Sequence, residues 1–335
     1  MLKTKNKAIY FIILFIFLFI TIELSGHFLF FLKNRMFLWQ KQILFNAQPF
    51  IKRVWDERIV TTKNNFLCND LGWAVATDEN GFRIGSNIYY KEKDNFIFLG
   101  DSVLFGFGID GDKSVPSLFF SLIDSYGVIN AAVPSYSLFQ SIEHYKYEID
   151  GKWPVKCVIL QTIDPAMQFS DLKNEWNKRI SWASREIKSH TLFYRLSSTG
   201  FLMERIIDKI KRLSKSRVMD EPTTNYFKKE NFSDLERLYD LLSRDGTPLV
   251  ILPINIKESM FHNLDKDYIL AINLLNEIFS EFASTHNNVY YFDIISYFNK
   301  IERKDLFIDP YHLSEQGSRI QSEFIIEELK RHDLF

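Results

Sequence analysis

The sequence predicts an α/β fold with a parallel sheet covered by helices on both faces, preceded by one N-terminal transmembrane helix. Three observations predict it. From Asn95 onward, short apolar runs alternate with amphipathic helical stretches, the pattern of a parallel sheet buried on both faces. The first of those runs is followed at once by Gly100-Asp-Ser102, and open α/β sheets build their sites at the carboxyl ends of strands. Ahead of the alternation, Ala8 to Ile22 is apolar apart from Thr21, which reads as a membrane segment rather than a core helix.

That N-terminal run spans about 22 Å at 1.5 Å per residue, short of a hydrocarbon core of about 30 Å. Continuing to Leu32 supplies the missing length and places Glu23 and His27 near the far interface, where polar groups are tolerated. Lys3, Lys5 and Lys7 precede the run, and Lys33, Arg35 and Lys41 follow it. A short basic leader before an apolar run reads as an export signal, with the N-terminus in the cytoplasm. The chain is then a single-pass membrane protein whose main domain lies on the periplasmic or extracellular side. No small-x-small cleavage site follows the run cleanly, which favours an uncleaved anchor over a signal peptide. The expected organisation is an anchor over 1–33, a membrane-proximal segment over 34–94 and a catalytic domain over 95–335.

Within that domain each element has a local cause. Phe96 to Leu99 is a short apolar run closed by Gly100, hence a first strand. Pro116 to Tyr126 reads as a helix with proline in its first turn. Val128 to Ala132 is a second strand, residues 137–149 a helix, and Val155 to Gln161 a third strand. Leu249 to Leu252 and Asn288 to Phe292 are the fourth and fifth. A last helix covers Ser314 to Leu329. Residues from about 168 to 246 are charged and helical in pattern, and too many for a plain crossover; they read as a helical insertion that caps the site. Upstream, Asn80-Gly81 is a turn signal in an otherwise irregular stretch.

Lys+Arg 41 against Asp+Glu 42 leaves no basic surplus, so no nucleic-acid partner is expected. No Cys/His cluster has metal-ligand spacing, so no metal is expected. Cys157 lies in an apolar run and reads as a buried thiol; nothing in the spacing argues for pairing it with Cys68.

The chemistry sits at two places far apart in the chain. Ser102 follows a strand and a glycine, where it can offer both its hydroxyl and its backbone N–H to one substrate. Serine is a weak nucleophile without a base in hydrogen-bond reach. Near the other end, Phe307-Ile-Asp-Pro-Tyr-His312 puts Asp309 three residues before His312, on a loop entering the last helix. A carboxylate there can hold one ring nitrogen and leave the other facing the serine. The two motifs together, in these positions, point to nucleophilic catalysis by Ser102, His312 and Asp309.

On these motifs the chain resembles the SGNH hydrolase family, also called GDSL-type esterases and lipases, over about 95 to 332. Gly81-Phe-Arg83 is similar to a stretch in membrane-tethered bacterial members. The resemblance implies a flavodoxin-like three-layer α/β/α sandwich. It also implies acyl-ester hydrolysis or acyl transfer with no metal or organic cofactor. It puts the family's serine on Ser102 and its Asp and His on Asp309 and His312. Two departures stand out. The family's oxyanion glycine after the second strand is replaced by Ala132, which still offers an N–H. The family's asparagine after the third strand is missing from Leu160-Gln-Thr-Ile-Asp-Pro165, where Asp164 lies nearest its place. The oxyanion set is therefore read as Ser102, Ala132 and Asp164, and an ionised Asp164 would repel the charge it faces. Three alternatives stand open: Asp164 is protonated by burial; Thr162 or Gln161 donates instead; or the enzyme is slow, specialised or dead.

Other candidates receive plainer readings. Asp101 bonds loop amides, and His144 is a surface or packing residue. His190, His262, His286 and His332 face solvent. The basic cluster from Lys209, Lys211 and Arg212 to Arg217 is a solvated face. Asn231-Phe-Ser233 matches a glycosylation sequon, with Ser233 preferred as a helix cap. The expected function is an esterase that removes O-acyl groups, O-acetyl above all, from a cell-envelope glycan or lipid. Acyl transfer with the same triad, or a catalytically silent carbohydrate-binding or assembly role, are the alternatives.

Overall fold

The computed structural model describes residues 14, 17–21, 24–25, 51–53, 60–69, 71–85, 94–123, 125–134, 136–162, 221–254, 266–301 and 305–335. The chain divides into two compact units, Met1–Pro49 with Trp176–Arg217, and Phe50–Glu175 with Val218–Phe335. In the first unit the described residues are helical, and Leu14, Phe17, Leu18, Ile20 and Leu24 expose their side chains. Among the described residues no helix is long and apolar enough to cross a membrane. The rest of the expected anchor, residues 168–220 of the expected insertion with their basic cluster, Asp164, His190 and His262 lie outside the described residues.

The second unit opens with short antiparallel pieces. Strands β1 (Ile51–Arg53) and β2 (Val60–Thr62) form a hairpin. Strands β3 (Leu67–Cys68), β4 (Val75–Thr77) and β5 (Arg83–Ile84) form a three-stranded sheet. The Asn80-Gly81 turn joins β4 to β5 as the sequence predicts. Asp78 Oδ1 accepts from the backbone N–H groups of Asn80 and Phe82, both at 2.8 Å, and Gly81 takes a φ of +88° that side chains avoid.

The main sheet has five strands, all parallel: β6 (Asn95–Gly100), β7 (Gly127–Asn130), β8 (Val155–Gln161), β9 (Leu249–Ile251) and β10 (Val289–Tyr291). Their spatial order is β10-β9-β8-β6-β7, which is the 2-1-3-4-5 order of flavodoxin-like sheets. The central strand explains its own position. Phe96, Ile97, Phe98 and Leu99 are all fully buried, so both faces of β6 need cover. Strand β7 is shorter than its apolar run. It stops at Asn130, whose side-chain oxygen accepts from the Ala132 N–H at 3.3 Å, while the N–H groups of Ala131 and Val133 still donate to the β6 carbonyls of Phe98 and Gly100.

Helices α1 (Ser102–Phe105), α2 (Val115–Phe120), α3 (Leu138–Glu148), α4 (Glu221–Ser243), α5 (Lys266–Thr285), α6 (Ile294–Asn299) and α7 (Glu315–Arg331) follow the strands. Right-handed crossovers sort them into two layers. Helix α7 packs on α2, and α4 packs on both α3 and α5. Helix α2 ends six residues before its expected limit, because Leu122 and Ile123 bond back to Phe119 and Phe120 in tight turns. Helix α3 starts where Ser137 and Gln140 cap it reciprocally.

Helix α4 corrects the insertion reading over 221–243. Phe227, Leu235, Leu238 and Leu242 form one buried stripe in the core. Arg237 pairs with Glu143 of α3 and stacks over Phe139. This stretch is thus the β8-to-β9 crossover helix. Ser233, expected as a cap, sits exposed in its middle, while Asn231 is buried with its amide on the Phe227 carbonyl at 2.9 Å. The sequon is therefore closed in the folded chain.

If α4 is a structural layer, Leu238→Ala should cost about 2–5 kcal/mol. Urea unfolding should show a lower midpoint at an unchanged slope. A loss below about 1 kcal/mol would match a surface insertion instead.

Candidate active site

Strand β6 ends at Gly100, with φ +153°. A side chain there would strike the carbonyl oxygen of Gln161 on β8, so only glycine allows this approach. The chain then turns sharply. Asp101 caps α1, its carboxylate accepting from the Val103 N–H at 3.0 Å, which agrees with its expected role as a binder of loop amides. Ser102 is the first residue of α1. The helix closes after one turn at Gly106, which adopts φ +77° and donates to the carbonyls of Ser102 and Val103.

The base arrives from the far end of the chain. Phe307 and Leu313 form an antiparallel bridge, and the Ile308 N–H donates to the His312 carbonyl at 3.0 Å. Between them, Asp309 Oδ1 accepts from the N–H groups of Tyr311 at 3.0 Å and His312 at 2.8 Å. Its other oxygen lies 2.6 Å from His312 Nδ1, and His312 Nε2 lies 2.8 Å from Ser102 Oγ. With the carboxylate ionised, Nδ1 carries the proton and Nε2 is left to accept from the serine. The structure thus brings Ser102, His312 and Asp309 together as the sequence predicts.

Burial alone would push the Asp309 pKa up. The hydrogen bond and charge of His312, with the two backbone N–H groups, outweigh it and hold the carboxyl below its ordinary value. The imidazole is buried at 7% exposure, flanked by Phe107 at 5.1 Å between ring centres and Tyr311 at 4.6 Å. Trp73, from the loop between β3 and β4, lies 5.2 Å from Phe107.

On the oxyanion side, Ala132, Gln161 and Thr162 are among the described residues. The Ala132 N–H is already shared with Asn130 Oδ1, though at a long 3.3 Å. Gln161 points into the core, donating to the Pro253 carbonyl at 3.0 Å and accepting from Gln321 at 2.9 Å. Thr162 turns its hydroxyl to the Tyr136 carbonyl at 3.5 Å. Of these two alternatives to Asp164, Gln161 is committed elsewhere, and Thr162 makes only a long contact.

The remaining candidates lie away from the triad. His144 is 2% exposed and meets the edge of Tyr136 at 5.6 Å, a packing residue. His286, expected in solvent, is half-buried, stacked on Phe282 at 3.9 Å and hydrogen-bonded to Glu236 at 3.1 Å. His332 is exposed as expected, though its ring stacks on Phe292 at 5.6 Å. Cys68 and Cys157 are free thiols, and burial pushes Cys157 up to about 12. Among the described residues no group of His, Cys, Asp and Glu could hold a metal ion.

Sequence reasoning missed Arg83 as part of this neighbourhood. It is 1% exposed, and its guanidinium donates to the carbonyls of Phe105, Gly106, Ile109 and Ala74. Burial pulls its pKa down to about 9, opposed by Asp110 and Asp112, so it stays charged at neutral pH. The one available signal was the Gly81-Phe-Arg83 stretch, which carries no chemistry by itself.

No family model and no curated protein matches the chain. Many solved structures are similar to it, and many of those are GDSL-type lipolytic hydrolases. A member of the lipolytic G-D-S-L family from Veillonella parvula DSM 2008 is 14% identical, over 71% of this chain and 98% of that one, with a TM-score of 0.43. A GDSL-like lipase from Bacteroides thetaiotaomicron VPI-5482 is 10% identical, over 72% and 91%, with a TM-score of 0.44. The acetyl xylan esterase AlAXEase is 15% identical, over 70% and 99%, with a TM-score of 0.41.

Asp309→Asn should leave the loop in place yet present the wrong hydrogen-bonding partner to Nδ1, lowering kcat by roughly 10³–10⁴ with KM little changed. The pH dependence has a defined sign. A depressed carboxyl pKa contributes stability above the ordinary carboxylate value and loses it as pH falls through the lowered one. The stability gap between the wild type and Asp309→Asn, measured by urea unfolding, should therefore shrink in acid.

Proposed function

We propose that the chain is a serine-dependent ester hydrolase that removes O-acyl groups, O-acetyl above all, from a cell-envelope glycan or lipid through an acyl-enzyme. The observation that carries this reading is the unbroken hydrogen-bond chain from Asp309 through His312 to Ser102. Ser102 Oγ attacks the ester carbonyl while His312 Nε2 takes its proton. The tetrahedral intermediate collapses, and the same proton passes to the leaving alcohol. Water, deprotonated by Nε2, then attacks the acyl-serine and releases the acid. Asp309 holds the ring and balances its transient positive charge.

The backbone N–H groups of Ser102 and Ala132 are the proposed oxyanion donors, with Ala132 turning from Asn130 to the substrate as charge develops. Asp164, nearest in sequence to the place of the missing asparagine, is proposed to limit the rate by a deficit of about 3 kcal/mol. The apolar side chains exposed on the described N-terminal helical residues support a membrane anchor. A periplasmic or extracellular catalytic unit and an envelope substrate follow from that anchor.

Acetate release from p-nitrophenyl acetate by the full chain in detergent tests this, beside Ser102→Ala and Asp164→Asn. The expected result is activity abolished in the first and raised by up to about a hundredfold in the second. Labelling by a fluorophosphonate without turnover would move the reading to acyl transfer onto a sugar hydroxyl. Neither labelling nor turnover in the wild type would sink the esterase and favour a binding or assembly role.

A further inference from the structure

We propose that Arg83 is a positioning residue for the nucleophile and its base, acting through the loop that follows α1. This deepens the esterase reading and rests on it for its kinetic test. A single helical turn cannot hold itself, since nucleation fixes several residues for one hydrogen bond. Helix α1 is such a turn. Its N-terminus is held by Asp101. Its C-terminal carbonyls, on Phe105 and Gly106, are held by one nitrogen of the Arg83 guanidinium. A cation at a helix C-terminus also lies at the favourable end of the helix dipole.

The second guanidinium nitrogen extends the clamp. It donates to Ile109 at 2.6 Å and to Ala74 at 3.2 Å. The guanidinium carbon stands 4.6 Å from the Phe105 ring centre and 5.1 Å from that of Trp73. Residues 105–109 are thus gripped at three carbonyls by one rigid fork. Phe107 lies within that span, and its ring flanks His312. One buried side chain therefore bears on both ends of the Ser102–His312 hydrogen bond. The contact leaves little slack: a Cβ on Gly106 would come within 2.8 Å of Ser114 Cβ and 2.9 Å of Arg83 Nη1. The carbonyls of Phe105, Gly106, Ile109 and Ala74 that it binds are backbone groups of the site's own framework. Arginine is required because lysine cannot span these acceptors with one planar group.

The test compares the full-length wild type with Arg83→Lys, Gly106→Ala and Leu238→Ala, each normalised to folded protein. Leu238→Ala serves as an equally destabilised control remote from the site. Arg83→Lys is expected to lower kcat for p-nitrophenyl acetate, and the rate of fluorophosphonate labelling, by about a hundredfold with KM within a fewfold. Gly106→Ala presses on the same contact from the other side and should do the same if Arg83→Lys does not fold. Leu238→Ala should keep wild-type kcat. A folded Arg83→Lys or Gly106→Ala with wild-type kcat and labelling overturns the proposal. The low-field proton NMR signal of His312 Nδ1–H, identified by its loss in Asp309→Asn, gives a readout free of turnover. It should shift or broaden in Arg83→Lys; an unchanged signal in an otherwise inactive wild type would overturn both readings together. A wild type that labels, beside variants that label equally well, would remove only the role of Arg83.

Discussion

The structure hangs on the close parallel approach of β6 and β8 at their carboxyl ends. Gly100 lies so near the Gln161 carbonyl that no side chain fits between them. This is also where the sheet order reverses direction, with β7 on one side of β6 and the remaining strands on the other. Crossovers leave this point toward opposite faces, which opens a crevice above the strand ends. Ser102 stands in that crevice because the chain has only Asp101 in which to turn. A looser approach would lengthen the turn and move the hydroxyl off the strand axis.

Much of this was legible because the informative signals are local. A buried parallel strand writes itself as an uninterrupted apolar run, and the five runs from Phe96 to Phe292 each became a strand. The triad was legible for a different reason: Gly100-Asp-Ser102 and Asp309-to-His312 each carry a constrained turn within a few residues. What was illegible depended on distance. Strands β3 to β5 are two or three residues long, too short for alternation to register. The burial of Arg83 follows from carbonyls more than twenty positions downstream. Helix α4 looked like an insertion because its charged outer face dominates its composition; only its packing on α3 and α5 marks it as a layer. Asn130 ends β7, and the turn of its side chain back to Ala132 leaves no mark in the apolar run.

Polar groups at the site are held in unequal ways, and the inequality has a function. Asp309 binds two amides and one imidazole, so its negative charge is fixed in direction. His312 is walled by Phe107 and Tyr311, which limit solvent on the ring without offering it a competing acceptor. Arg83 is wholly buried with carbonyl partners, where its charge orders backbone and stays clear of the reacting atoms. On the opposite side, the Ala132 N–H has a weak competing acceptor in Asn130. The Asp309–His312 side of the site is thus preorganised, while the Ala132 N–H is only loosely held.

The bond from His312 to Ser102 spans 210 positions of the chain. Closing so long a loop carries an entropic penalty that only the finished sheet and its helices repay. The strand and turn that bear the serine are synthesised well before the loop that bears the base. A chain whose base loop has not yet folded therefore carries Ser102 without its imidazole partner. The chain of hydrogen bonds from Asp309 to Ser102 is thus a property of the assembled fold, present only once both ends of that long loop have met.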